Sequence, residues 1–122
     1  MNSRKDIAVE FLKMAASGEI KEAYEKYVSI NFIHHNPWFK GNRESLMKGM
    51  EEAHKQFPNK EFTIYHVFEN GDLVVTHSKV KVSDGKEIAV VHILRFRNDK
   101  IVEMWDIAEE IPKDSPNENG MF

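Results

Sequence analysis

The sequence contains no cysteine. That removes disulfide frameworks, thiol nucleophiles and cysteine metal sites together, and it fits a reducing compartment. No stretch approaches the roughly 20 apolar residues of a membrane-spanning helix. The start, Met1-Asn2-Ser3-Arg4-Lys5-Asp6, lacks the apolar run of a signal peptide. A cytoplasmic protein without a membrane partner is the expectation. Nor do like charges gather: 17 basic and 20 acidic residues alternate, leaving a net charge of −3. The basic surface that binds phosphate backbones is therefore missing, and nucleic acid is not an expected partner.

What is present suits a globular fold. At 122 residues, with 41% hydrophobic and 11% aromatic content, the chain has the size and composition of one domain with a real core. Residues 1–110 are expected to form that domain and 111–122, with Pro112, Pro116, Asn117, Asn119 and Gly120, a tail.

The first half has helical periodicity. Ser3 and Asp6 have the spacing of a capping box, followed by Ile7, Phe11, Met14 and Ala15 on one face and a stop at Ser17-Gly18. A second short helix carries Ile20, Ala23, Tyr24 and Tyr27. Residues 28–39 break the pattern with Asn31, Asn36 and Pro37. A third helix opens near Asn42, presents Leu46, Met50, Ala53 and Phe57, and stops at Pro58-Asn59.

From residue 61 the period becomes two. Four strands fit, at about 61–69, 72–82, 86–97 and 100–109, joined by Glu69-Asn70-Gly71-Asp72, Ser83-Asp84-Gly85-Lys86 and Arg97-Asn98-Asp99-Lys100. Asn-Gly and Asp-Gly favour two-residue hairpins because both central positions need positive φ. The fold class is α+β: three N-terminal helices on a strongly curved antiparallel meander. In the last strand, Ile101, Trp105 and Ile107 alternate with Val102, Met104, Asp106 and Ala108. Both faces are largely apolar, so the helices cover one and a second copy of the chain is the simplest cover for the other. A homodimer through the outer sheet face is expected.

Three stretches resemble a known family. They are Phe32 to Gly41, containing His35-Asn36-Pro37; Leu94 to Ile107, ending in the Trp105-Asp106 pair; and the tail Asn117 to Phe122. Together they make the chain similar to the NTF2-like superfamily and, within it, the SnoaL-like polyketide cyclases. The resemblance implies a cone-shaped sheet enclosing an apolar pocket, usual dimerisation through the outer face, and cofactor-free chemistry. In it the aspartate matching Asp106 acts as acid and base in an aldol closure, with histidine nearby. Two positions depart from the pattern: Met104 stands where the family commonly has histidine, and His92 where it often has aspartate.

Against that background Asp106 is the first candidate, since a carboxylate among Met104, Trp105, Ile107 and Ala108 is costly to bury without a role. The plain alternative is an aspartate bonding backbone amides or pairing with Arg95. Histidine is the natural proton carrier near neutrality. His35 draws on the family match, while His92 and His77 lie on apolar strand faces. Histidines on such faces also serve as hydrogen-bonded core. Trp38, Phe11, Tyr27, Phe32 and Met104 are candidate ligand contacts that would equally suit a core. No recognised metal-ligand spacing is present, so no metal is expected.

The functional expectation is a cofactor-free enzyme that removes a proton next to a carbonyl: an aldol-type cyclase, isomerase or lyase. The alternative is a non-catalytic protein that binds a small apolar or aromatic molecule.

Overall fold

A computed structural model describes residues 3–122, so Met1 and Asn2 of the expected domain lie outside the described residues. The order is α1 (Arg4–Ala16), α2 (Ile20–Tyr27), β1 (Val28–His34), α3 (Arg43–Gln56), β2 (Glu61–Asn70), β3 (Leu73–Lys81), β4 (Glu87–Arg97) and β5 (Lys100–Glu110).

The helices start and stop where local chemistry dictates. The Ser3 hydroxyl accepts from the Asp6 amide at 3.1 Å and the Asp6 carboxylate accepts from the Ser3 amide at 3.3 Å, a reciprocal cap worth about 1 kcal/mol. Asn42 caps α3 by accepting from the Ser45 amide at 2.8 Å. α1 ends at Ser17, and Gly18 follows with φ of 96°. Gly18 also lies under the His54 imidazole of α3, so closely that an added Cβ would stand 2.4 Å from Nε2.

The fold class is the expected one: three helices on a curved α+β sheet. Residues 61–110 form the meander, with Gly71, Gly85 and Asn98 taking positive φ at its turns. The sheet nevertheless has five strands, in the order β1-β5-β4-β3-β2. The added strand is β1, drawn from the segment read as irregular. It runs parallel to β5, with Val28 opposite Ile101 and His34 opposite Met104. Only Val28, Phe32 and His34 of β1 are buried, so its sequence never shows clean alternation. β1 and β2 are both edges, and the sheet is open.

Two bulges within the meander set which of its side chains face the helices. Arg95 pairs with Glu103 but Phe96 pairs with Ile101. Val102 is thus the extra residue, and Ile101 joins Met104 on the inner face, not Trp105 on the outer one. Likewise Ile64 pairs with Ser78 while His66 pairs with His77, so Tyr65 is extra and His66 turns outward.

The inner face and the helices bury one core. It includes Phe11, Leu12, Tyr24, Tyr27, Phe32, Leu46, Val74, Leu94, Phe96, Ile101 and Met104. Phe11 and Tyr24 meet edge to face with centroids 5.6 Å apart, and Tyr24 meets Phe32 at 6.3 Å. Each large side chain contributes roughly 1.5–3 kcal/mol by leaving water. The candidate ligand contacts Phe11, Tyr27, Phe32 and Met104 all belong to this packing, at 0–5% exposure. They pack between the helices and the inner face of the sheet. One open cleft lies at the sheet's margin.

A candidate active-site cleft at the free end of the fifth strand

β1 stops at His34, and the chain then leaves β5 through a tight loop. Its ends are tied by His34. The His34 amide donates to the Gly41 carbonyl at 3.2 Å, its Nδ1 accepts from the Asn36 amide at 3.0 Å, and its Nε2 bonds the Lys40 carbonyl. With Nδ1 accepting, the ring proton must sit on Nε2. His34, 4% exposed, is a structural histidine with both nitrogens used.

The loop turns through Asn36. Its Oδ1 accepts from the Trp38 amide at 3.0 Å, leaving Nδ2 to donate to Asp106 Oδ2 at 2.9 Å. Beyond this contact β5 has a free edge, and a half-open cleft of about 360 Å³ lies there. His35, Asn36, Pro37, Trp38, Asp106, Ile107 and Ala108 line it.

Asp106 is the half-buried acidic group of this cleft, its side chain 16% exposed. It shares the inner face with Met104, opposite His92 on β4. His92 Nε2 stands 3.6 Å from Asp106 Oδ1, while His92 Nδ1 is buried with no partner among the described residues. Burial pushes His92 below the ordinary histidine range, and the Asp106 charge acts in the opposite sense. Desolvation of a cation is the larger effect, so the imidazole is neutral at neutral pH. Tyr24 is raised, chiefly by burial, against the Arg43 guanidinium and with a contribution from Asp106. It keeps its proton and donates to Met50 Sδ at 3.4 Å.

The other candidates fall elsewhere. His35 borders the cleft, but its ring lies on the outer side of β5. There it stacks on Trp105 with centroids 4.8 Å apart, and its Nε2 meets Glu103 Oε2 at 2.7 Å. Arg95, the expected alternative partner of Asp106, bonds Glu103 and Asp72 on that same outer face. His77 does not join Asp106. It is paired with Val91, one position out of phase with the row of Thr76, His92 and Asp106, so it projects from the opposite face. It stacks there on His66, with Nδ1 atoms 3.0 Å apart, and its Nε2 donates to the Met121 carbonyl at 2.8 Å. Trp38, 84% exposed, stands at the cleft rim. No three His, Asp or Glu side chains among the described residues converge as metal ligands.

Asn36 has a second role beyond that of the turn former its sequence indicates. The clue was available: an asparagine that bonds the backbone two residues on uses Oδ1 and leaves Nδ2 free for a distant acceptor. Nothing local marks Asp106 as that acceptor.

An open, curved sheet covered by three helices is an NTF2-like fold, and here it carries Asp106 and His92 on its inner face. A SnoaL-like domain model matches residues 8–104, and the chain belongs to that family. Solved structures agree on the fold. An NTF2-like protein of unknown function from Cytophaga hutchinsonii superposes with a TM-score of 0.72 at 19% identity, over 89% of this chain and 92% of that one. IdmH of Streptomyces antibioticus, named as a candidate polyketide cyclase, gives 0.76 at 19% identity, over 88% and 93%. A candidate polyketide cyclase of Acidithiobacillus ferrooxidans gives 0.74 at 20% identity, over 89% and 90%. No functionally curated protein matches the sequence.

Proposed function

We propose that this chain is a cofactor-free small-molecule enzyme in which Asp106 takes a proton from carbon next to a carbonyl. The observation that carries the reading is the Asp106 carboxylate, mostly buried at the cleft with Asn36 Nδ2 on one oxygen and His92 beside the other. In the forward step the C–H electrons move into the carbonyl to form an enolate, and the proton ends on Asp106. His92, neutral, keeps a ring N–H near the developing charge; the protonated Asp106 then returns its proton to the product. Trp38, Pro37 and Ala108 supply the apolar contacts. That structures of this fold are named as a candidate cyclase, a candidate hydroxylase and a candidate isomerase supports the class without fixing the reaction.

A carrier for a small apolar or aromatic molecule is the second reading. It is favoured by the engagement of Asp106 Oδ2 by Asn36, which leaves one carboxylate oxygen for chemistry. A thermal-shift ligand screen with product analysis separates the two. A hit consumed by wild type and by His77→Ala, but not by Asp106→Asn, supports catalysis at this cleft. A hit bound unchanged by all three, with no product, sinks it.

The same reading includes a homodimer through the outer sheet face, supported by Phe68 and Ile107 at 63% and 60% exposure there. It also places the chain in the cytoplasm, a setting supported by the absence of cysteine.

A further inference from the structure

We propose that Thr76 is a positioning residue for His92, so that Thr76, His92 and Asp106 act as one row across β3, β4 and β5. The three are direct cross-strand partners: Thr76 opposite His92, and His92 opposite Asp106. Partners of this kind have Cβ atoms about 4.5–5.5 Å apart on the same face, within reach of a hydroxyl and a ring nitrogen.

The second observation is a coincidence of unmet needs. Thr76 Oγ1 and His92 Nδ1 are both buried without a partner among the described residues, and their residues are 0% and 8% exposed. A neutral imidazole has one N–H and one lone pair. The Asp106 carboxylate on the Nε2 side calls for the N–H there, which leaves the lone pair at Nδ1. A hydroxyl is the group that can donate to it. Leaving both atoms unmet in a dry interior is costly, and one hydrogen bond between them would remove both deficits. Ser78, on the same face of β3, has a third unpartnered hydroxyl. Its register partner is Val90, which offers nothing to bond, so the relationship is particular to Thr76. The charge facing His92 is Asp106 of β5; its register partner on β3 is uncharged.

The role of the row in turnover rests on the reading of Asp106 as base. Thr76 would hold the lone pair of His92 at Nδ1 and keep the N–H aimed at the carboxylate and the developing enolate. The bond itself requires no substrate, and so can be tested separately.

Nitrogen-15 spectra of the histidine rings in wild type, Thr76→Val, Thr76→Ser and Ser78→Ala carry the test. In wild type, His92 Nδ1 should resonate as a hydrogen-bonded pyridine-type nitrogen. It should move downfield to the unbonded position in Thr76→Val, return in Thr76→Ser and stay put in Ser78→Ala. An Nδ1 signal at the unbonded position in wild type overturns the proposal without any variant. So does an identical signal in wild type and Thr76→Val with an equal or higher melting temperature, the behaviour of an idle buried hydroxyl. Either failure leaves Asp106 as a base intact, whereas an active Asp106→Asn enzyme removes the base and leaves the row standing.

Discussion

Asn36 and Asp106 are 70 positions apart in sequence, yet the Asn36 Nδ2 donates to the Asp106 carboxylate at 2.9 Å. This bond closes the back of the cleft and ties the loop after β1 to the inner face of β5. Asn36→Ala removes it together with the 3.0 Å bond to the Trp38 amide. A hydrogen bond to a charged group contributes about 1.5–3 kcal/mol when well buried, and this one is only partly so. The expected loss is about 1–2 kcal/mol in urea unfolding, with weaker binding of any cleft ligand. Unchanged stability and unchanged affinity together would show that the loop is held by other means.

Folding stability should depend on pH through His92. Its folded pKa is lowered from the ordinary histidine value of 6.5, first by desolvation and partly offset by Asp106. Between the folded and unfolded values the unfolded chain binds the extra proton, so stability rises with pH across that window. The contribution is complete above 6.5 and is lost as pH falls from there toward the folded pKa. Urea midpoints at about pH 5 and about pH 7.5 should differ more for wild type than for His92→Asn. Equal differences would assign the slope to other groups.

Gly18→Ala should destabilise, although alanine is the better residue in most chain positions. Gly18 has φ of 96°, and the new Cβ would stand 2.4 Å from His54 Nε2. The conformational cost alone is about 1–2 kcal/mol. Displacement of the imidazole adds to it, so the thermal midpoint should fall and the His54 ring resonances should shift. A midpoint at or above wild type would refute the close approach.

Association is tested on the outer face. Phe68 and Ile107 are 63% and 60% exposed, and glutamate at either position would place a charge where a second copy is proposed to sit. Phe68→Glu and Ile107→Glu should each turn a dimer into a folded monomer by light scattering, with circular dichroism unchanged. A wild-type chain that is already monomeric at micromolar concentration ends the idea.

Much of the fold was legible because its signals are local. The Ser3–Asp6 box, the Asn42 cap, and the glycines at positions 71 and 85 each act over a few residues, through bonds or φ values that the side chains themselves specify. The alternation of β5 likewise placed Asp106 on the face of Met104, since no bulge falls between them. What the sequence by itself determined is therefore the three helices, the order of the four meander strands, the turns between them and the side of β5 that carries the carboxylate.

Tertiary structure decided the rest. Single extra residues at Tyr65 and Val102 reverse the faces of His66 and Ile101, and nothing in their immediate neighbours announces them. The parallel pairing of β1 with β5, the outward position of His77 and the contact of Asn36 with Asp106 all depend on register between distant segments. Register is fixed by which apolar set the whole core can bury at once, a sum over many residues, and not by the residue whose direction it determines.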